Sequence, residues 1–308
     1  MTEHAIEVRQ VSKRFGAIQA VELVDLQVAR GEMLGLIGHN GAGKSTLFKM
    51  MLGLIPVSSG EILVEGTLIG SRGFRDVRRR VGYVPENVVL YDNLTGLETV
   101  QFFARLKGVD RRDCIRVLER VGLAKAIHRR VNGYSKGMRQ RLGFAQALLG
   151  KPQILFLDEP TNGLDPEAIR EFYKMLAELQ SEGVTLVITS HILAEIQQRV
   201  SRLAIMAAGK IQAQGSLQEL RERIALPVQI RIQLGEQADF EGGTPPAIER
   251  LRARGLAVEL HADGVLEVTC QRAAKMETLS LLSQMGPQLA DLDIHEPSLE
   301  DVFFGLSH

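Results

Sequence analysis

Residues 38–46 read Gly38-His39-Asn40-Gly41-Ala42-Gly43-Lys44-Ser45-Thr46, and this stretch decides the fold. Its spacing is G-x-x-x-x-G-K-[ST], with Gly38, Gly43, Lys44 and Ser45 at the fixed positions. Glycines let successive backbone N–H groups turn inward around phosphate oxygens. A helix that starts where the loop ends offers the same anion the positive end of its dipole. A lysine at this position reaches the β- and γ-phosphates, and a hydroxyl beside it ligates Mg²⁺. The flanks agree: Met33-Leu34-Gly35-Leu36-Ile37 is a short apolar run that predicts a buried strand, and Leu47 to Leu52 continues as a helix ending near Gly53. Strand, loop and helix in that order are the context the motif requires. The expected phosphate contacts are therefore all nine residues, with Lys44 also acting on the reacting phosphate.

Two later stretches carry compatible chemistry. Ile154-Leu155-Phe156-Leu157 predicts a buried strand ending in Asp158-Glu159. Paired carboxylates at the tip of a buried strand are unfavourable unless they meet a cation or activate water. Asp158 suits Mg²⁺, and Glu159 suits the polarisation of an attacking water. Val184 to Ser190 predicts a second buried strand with His191 just past its end, close to where a γ-phosphate would lie if the strands are parallel. Tyr134-Ser135-Lys136-Gly137-Met138 opens a helix through Leu148, and its N-terminal N–H groups suit a second anion.

The remaining elements read more plainly. Ile6–Val11 and Val21–Val28 alternate as strands around an expected turn at 13–16, where Phe15 either stacks on a nucleotide base or plugs the core. Arg72 to Arg80 reads as a solvated basic helix face, and Val81–Asn87 as a strand entering a loop. Thr95 with Glu98 forms a capping box for a helix to Lys107, with Val100, Phe103, Ala104 and Leu106 expected on one side. A further helix is expected within 111–130, and another after the loop at 161–166, to about Ser181.

A chain of 308 residues holds one large domain and a smaller one. Net charge is zero but unevenly spread: residues 1–224 hold 31 Lys and Arg against 24 Asp and Glu, and residues 225–308 hold 6 against 13. This supports domains 1–224 and 225–308 with different surfaces, and it is too mild to imply nucleic-acid binding. Cys114 and Cys270 fit no metal or redox spacing. No secretory or membrane-spanning run is present, so a cytoplasmic protein is expected, with any membrane role coming through a partner.

Taken in order, the phosphate loop, Glu86, Tyr134-Ser135-Lys136-Gly137-Met138, Asp158-Glu159, Gly163-Leu164-Asp165 and His191 resemble the nucleotide-binding domain of ABC transporters over residues 1 to about 220. The resemblance implies an α/β phosphate-loop domain with a RecA-like core, an antiparallel β subdomain and a helical subdomain, binding ATP and Mg²⁺. It also implies that Phe15 stacks on adenine and that Glu86 contacts Mg²⁺ and the membrane subunit. Ser135 and Gly137 form the signature, Asp165 lies in the dimer-contact loop, and His191 holds the γ-phosphate. Glu86 stands where a glutamine is usual, and Lys136 and Met138 replace the usual Gly and Gln. A homodimer on the inner face of the membrane follows from the resemblance, with integral permease subunits driven through residues 86–107.

Three segments, Pro85-Glu86-Asn87 with Phe103 to Gly108, Tyr134 to Gly143, and Ile294 to Asp301, also resemble the ATPase subunits of transporters that process copper for nitrous oxide reductase. That likeness implies copper or a sulfur species as cargo and a periplasmic partner reached through the permease. An ATPase of another ABC-2-type exporter and a permease-free soluble ATPase are the alternatives. Single copies of the phosphate loop and signature, with no long heptad run, speak against the last.

From Pro227 the pattern changes. A strictly alternating strand at 228–234, a helix after a Thr244 cap to Arg254, a hairpin at 258–268 with Asp263-Gly264 at its turn, a helix at 273–285 and a strand from Leu289 to Ile294 give β-α-β-β-α-β. That order suggests a small ferredoxin-like α+β domain. Residues 300–304 are expected to add a terminal helix, and His261 and His295 are expected to be solvated.

Overall fold

The computed structural model describes residues 3–197, 199–223, 227–235, 246–261, 265–284 and 286–295. The first elements are β1 (His4–Phe15), β2 (Ile18–Ala29), β3 (Met33–Ile37), α1 (Lys44–Met51), β4 (Ser59–Val64), β5 (Thr67–Leu68), α2 (Phe74–Arg79) and β6 (Val81–Val84). Then come α3 (Gly96–Lys107), α4 (Arg112–Arg120), α5 (Lys136–Leu148), β7 (Ile154–Leu157), α6 (Pro166–Ser181), β8 (Thr185–Ser190), α7 (Leu193–Ile196), β9 (Arg202–Ala207), β10 (Lys210–Gly215) and α8 (Leu217–Arg223). The last are β11 (Val228–Leu234), α9 (Pro246–Ala253), β12 (Ala257–Leu260), β13 (Val265–Cys270), α10 (Lys275–Ser283) and β14 (Leu289–His295).

The chain divides into two units, 1–217 and 218–308, ahead of the expected 224/225 boundary. In the first unit a six-stranded sheet has the order β10-β9-β3-β8-β7-β6. Strands β9, β3, β8, β7 and β6 run parallel, and β10 adds an antiparallel edge. Every residue of β3, β7 and β8 is buried, as strands covered on both faces must be. The parallel pairing of β7 with β8 brings the ends carrying Asp158 and His191 side by side. Phe48 of α1 packs edge-on against Phe156 of β7, with ring centroids 5.3 Å apart, so the helix after the phosphate loop is seated on the strand before the carboxylates.

A separate antiparallel sheet has the order β2-β1-β4-β5. Here β1 runs through Phe15, where a turn was expected from residue 13. Gln10 at φ 49° and the register shifts between Val8 and Lys13 form a bulge that breaks the alternation but not the pairing. Thr95 and Glu98 close the predicted capping box of α3. The expected apolar side of α3 is only half right: Val100 and Ala104 are buried, but Leu106 is 70% exposed. The helix expected within 111–130 ends at Arg120, because Gly122 turns at φ 73°, and a 3₁₀ turn at Ala124–Ala126 follows.

In the second unit the sheet order is β12-β13-β11-β14 and every pairing is antiparallel. With helices between β11 and β12 and between β13 and β14, this is the split β-α-β arrangement expected from the sequence. One face, including Ile230, Ile232, Leu266 and Val268, packs with Ile248, Leu251 and Leu282 into a core of its own. The Thr244 cap, the Asp263-Gly264 turn and the expected helix at 300–304 lie outside the described residues.

Candidate active site

The phosphate loop spans the gap between β3 and α1, and two of its glycines are dictated by close neighbours. A Cβ on Gly38 would lie 2.3 Å from the Met206 carbonyl oxygen, and one on Gly43 2.5 Å from that of Ala20. Gly43 also turns at φ 102°, a conformation only glycine adopts without strain, and it serves as N-cap of α1 without any side-chain bond. The first turn of that helix holds no acid, so its N–H groups and dipole face outward for an anion. Ala42 donates its N–H to the His39 carbonyl at 3.1 Å, closing the loop, while His39, Asn40, Gly41 and Ser45 are exposed and Thr46 is half-buried.

Lys44 is 5% exposed, and its ammonium donates to the carbonyls of Gly38 at 2.5 Å and His39 at 3.3 Å. It also stands 3.6 Å from Oε1 of Glu159. Oε2 of the same carboxylate accepts a 2.8 Å hydrogen bond from Nδ1 of His191. The three residues assigned to catalysis from the sequence thus meet on one carboxylate. Glu159 holds the left-handed backbone conformation at φ 46°, unusual for a residue with a side chain.

Thr189 was not singled out in the sequence. Buried at the end of β8, it donates its hydroxyl to Oδ1 of Asp158 at 2.7 Å and accepts from the Glu159 N–H at 2.9 Å. A hydroxyl side chain in a buried strand, one residue from its end, was the available signal. Glu195 was missed too: Thr161 donates to it at 3.1 Å, fastening the loop after Glu159 to α7.

Burial pushes the Asp158 carboxyl above its ordinary range. The nearby charges of Glu159 and Glu86 push the same way, against the Thr189 hydrogen bond and the Lys44 charge. Burial, with the fields of Asp158 and Glu86, lifts the Tyr83 phenol to about 12. A divalent cation fits this electrostatic setting. Asp158 and the Ser45 hydroxyl could supply the hard oxygen donors that Mg²⁺ prefers. Glu86 is exposed, accepts a 3.4 Å hydrogen bond from Asn162, and contributes to the site through its field.

Ser135 and Gly137 do not join the phosphate loop within the chain. Ser135 caps α5 by accepting from the Met138 N–H at 3.2 Å. The start of α5 is held against the loop after Glu159, where Gln140 donates to the Pro160 carbonyl at 3.0 Å. Asp165 is the N-cap of α6, accepting from the Ala168 N–H at 2.8 Å. Phe15 is 48% exposed with the Lys13 ammonium 5.0 Å from its ring centre, so it is no core plug.

Residues 21–162 match the family model described as ABC transporter. A bacitracin transport ATP-binding protein of Bacillus licheniformis is 33% identical over 303 residues, covering 98% of this chain and 96% of the relative. A daunorubicin resistance ATP-binding protein of Streptomyces coeruleorubidus is 32% identical over 317 aligned residues, covering 100% and 97%. Among solved structures, cbiO1 of Clostridium perfringens, part of the ABC transporter complex cbiONQ, matches with a TM-score of 0.66 at 28% identity, over 72% of this chain and 92% of that one. An ATP-binding cassette solved as a dimer in a post-hydrolysis state, bound to ADP and Pi, matches at 0.63 and 25% identity, over 69% and 98%. With the phosphate loop, the carboxylate pair and the histidine assembled at the C-terminal ends of the neighbouring strands β3, β7 and β8, and with relatives matching along nearly its whole length, this chain belongs to the ABC transporter family as an ATP-hydrolysing subunit.

Proposed function

We propose that the protein is the ATPase of an exporter of the ABC-2 type, working as a homodimer on the inner face of the membrane beneath separate permease subunits. The observation that carries the ATPase chemistry is the junction of Lys44, Glu159 and His191. Lys44 and the loop N–H groups hold the phosphates, Phe15 stacks on adenine, and Glu159 draws a proton from the attacking water. His191 orients Glu159 and reads the γ-phosphate, with Thr189 fixing the Asp158 carboxylate and the Glu159 backbone N–H. Ser45 and Asp158 would hold Mg²⁺, which would supply neutralisation of the charge on the transferred phosphoryl group.

A homodimer accounts for Gly137. Its backbone needs no glycine, and a Cβ there would meet only Leu164 at an ordinary 3.7 Å. Close approach of a phosphate held by a second copy gives that glycine a reason, and the solved dimeric cassette above supports the same arrangement. The exporter reading is supported by the two near-full-length relatives, whose names concern bacitracin transport and daunorubicin resistance. Copper or sulfur cargo for nitrous oxide reductase, with a periplasmic partner, rests on the three quoted segments alone and stands behind it.

Permease subunits would dock at the cleft formed by α2, residues 81–90 and the end of α3, beside Glu86. The test of the site is light scattering of Glu159→Gln with MgATP. Dimerisation that reverses when ATP is removed is expected, and a monomer at saturating MgATP refutes the shared site.

A further inference from the structure

Thr161 and Glu195 form a contact that the catalytic reading above leaves unused. The hydroxyl of Thr161, a residue 6% exposed, donates to Oε2 of Glu195 at 3.1 Å. Thr161 lies two residues after Glu159, and Glu195 lies four after His191. Glu159 and His191 are themselves joined at 2.8 Å. Two hydrogen bonds and two short stretches of chain therefore close a ring that passes through both side chains.

The two sides of that ring differ in stiffness. On the Glu159 side the loop is bonded to itself and to α5. The Asn162 N–H donates to the Glu159 carbonyl at 3.2 Å, the Leu164 N–H to the Thr161 carbonyl at 3.0 Å, and Gln140 to the Pro160 carbonyl at 3.0 Å. On the other side Ile192 alone separates the histidine from α7, a helix of four residues. A helix that short does not sustain itself. Leu193 and Ile196 are buried beneath it, but apolar burial is non-directional and leaves the orientation of the turn to be set. The bond from Thr161 is directional.

Other roles for Glu195 fit less well. It sits in the first turn of α7, but four residues sum to a small helix dipole. Arg199, the nearest arginine or lysine in the sequence, covers the Tyr173 ring instead, 4.5 Å from its centre. Glu195 forms no ion pair among the described residues. We infer that Glu195 is a positioning residue. Through the Thr161 hydroxyl it fixes α7 against the loop after Glu159, and so keeps His191 within bonding distance of Glu159 during hydrolysis. That role depends on the reading of Glu159 and His191 proposed above, and adds a residue that acts through them.

The test measures steady-state phosphate release by the full chain over a range of MgATP. Glu195→Ala and Thr161→Val should each lower kcat about three- to tenfold, the worth of one hydrogen bond. KM should stay within about twofold, because the phosphate loop is untouched. Glu195→Gln keeps an oxygen acceptor and Thr161→Ser keeps the hydroxyl, so both should retain most of the wild-type turnover. Glu195→Ala combined with Thr161→Val should be no slower than either alone, since the two side chains make one bond. In a His191→Ala background, Glu195→Ala should cause no further loss. A general structural defect would lower turnover in both backgrounds, and that result overturns the inference. So do wild-type kcat in the Ala and Val variants, additive losses in the pair, or failure of the Gln and Ser variants to retain turnover. Should Glu195→Ala not fold, Thr161→Val in the wild-type and His191→Ala backgrounds makes the same comparison. If Glu159→Gln and His191→Ala are slow but Glu195→Ala is normal, this inference alone falls. If either of those two hydrolyses ATP at the wild-type rate, the reading beneath it falls.

Discussion

Glu159 and Asp158 are adjacent in sequence, but their surroundings give them different work. Glu159 is shared between Lys44 and His191, whereas Asp158 is held by Thr189 and repelled by its neighbours. Glu159→Gln should keep ATP affinity by calorimetry while phosphate release falls by about 10²–10⁴-fold, the usual worth of a general base. Asp158→Asn should do something less expected to the protein alone. A carboxyl whose proton affinity is raised on folding is ionised at a cost, so its charge opposes the fold once the pH exceeds the ordinary aspartate range. The variant should therefore melt higher than wild type near neutral pH without nucleotide, by on the order of 2–4 °C for each kcal/mol in a protein of this size. That gain should vanish as the pH falls below the ordinary aspartate range, and the stabilisation by Mg²⁺ with ATP should be lost at every pH. A lower melting temperature at pH 7 would contradict the electrostatic account of this carboxylate.

At the level of elements, α3 shows how local chemistry supports a distant function. Its start is fixed by the reciprocal Thr95–Glu98 box and its end by Gly108 at φ 71°. Only Val100 and Ala104 among its expected apolar residues are buried, and the last turn presents Leu106 to solvent at the cleft. Thr95→Ala should cost about 1 kcal/mol in thermal or urea unfolding, and more of the effect should appear as early exchange of the α3 amides than as a change in ATP affinity. Hydrogen bonds from the Thr95 N–H and hydroxyl hold the Glu98 carboxyl below its ordinary range. Its contribution is thus complete above the ordinary glutamate range and fades as the pH drops through the lowered value. In Thr95→Ala that acid-side loss should shrink, which a pH series of melting temperatures would reveal.

For the whole molecule, the two units have separate cores. One includes Phe48, Phe156 and Val187, and the other Ile230, Leu251 and Val268. Only the first contains the ATP site, so calorimetry should resolve two transitions, and only one should move with nucleotide. At a hundred times its Kd, ATP adds about 2.7 kcal/mol to the unit that binds it. A single transition that shifts as one body would show that the units unfold together.

Spacing and local chemistry alone identified the family and pointed to the candidate residues of the ATP site, because phosphate binding demands glycines, a lysine and a hydroxyl at a spacing that local backbone geometry dictates. They also determined α3's start and the alternation of β11, since capping and period two are local. Three features came instead from contacts between distant parts of the chain. Thr189 came to hold the Asp158 carboxylate and the Glu159 backbone N–H because β8 lies parallel beside β7. Strand β1 continued through Phe15 because partners in β2 supply hydrogen bonds across a bulge that erases the sequence alternation. Leu106 faces a cleft because packing of α3 against its neighbours, and not apolarity alone, chooses which side is covered. Spacing along the chain records what a residue can do; which residues meet depends on contacts between strands far apart in sequence.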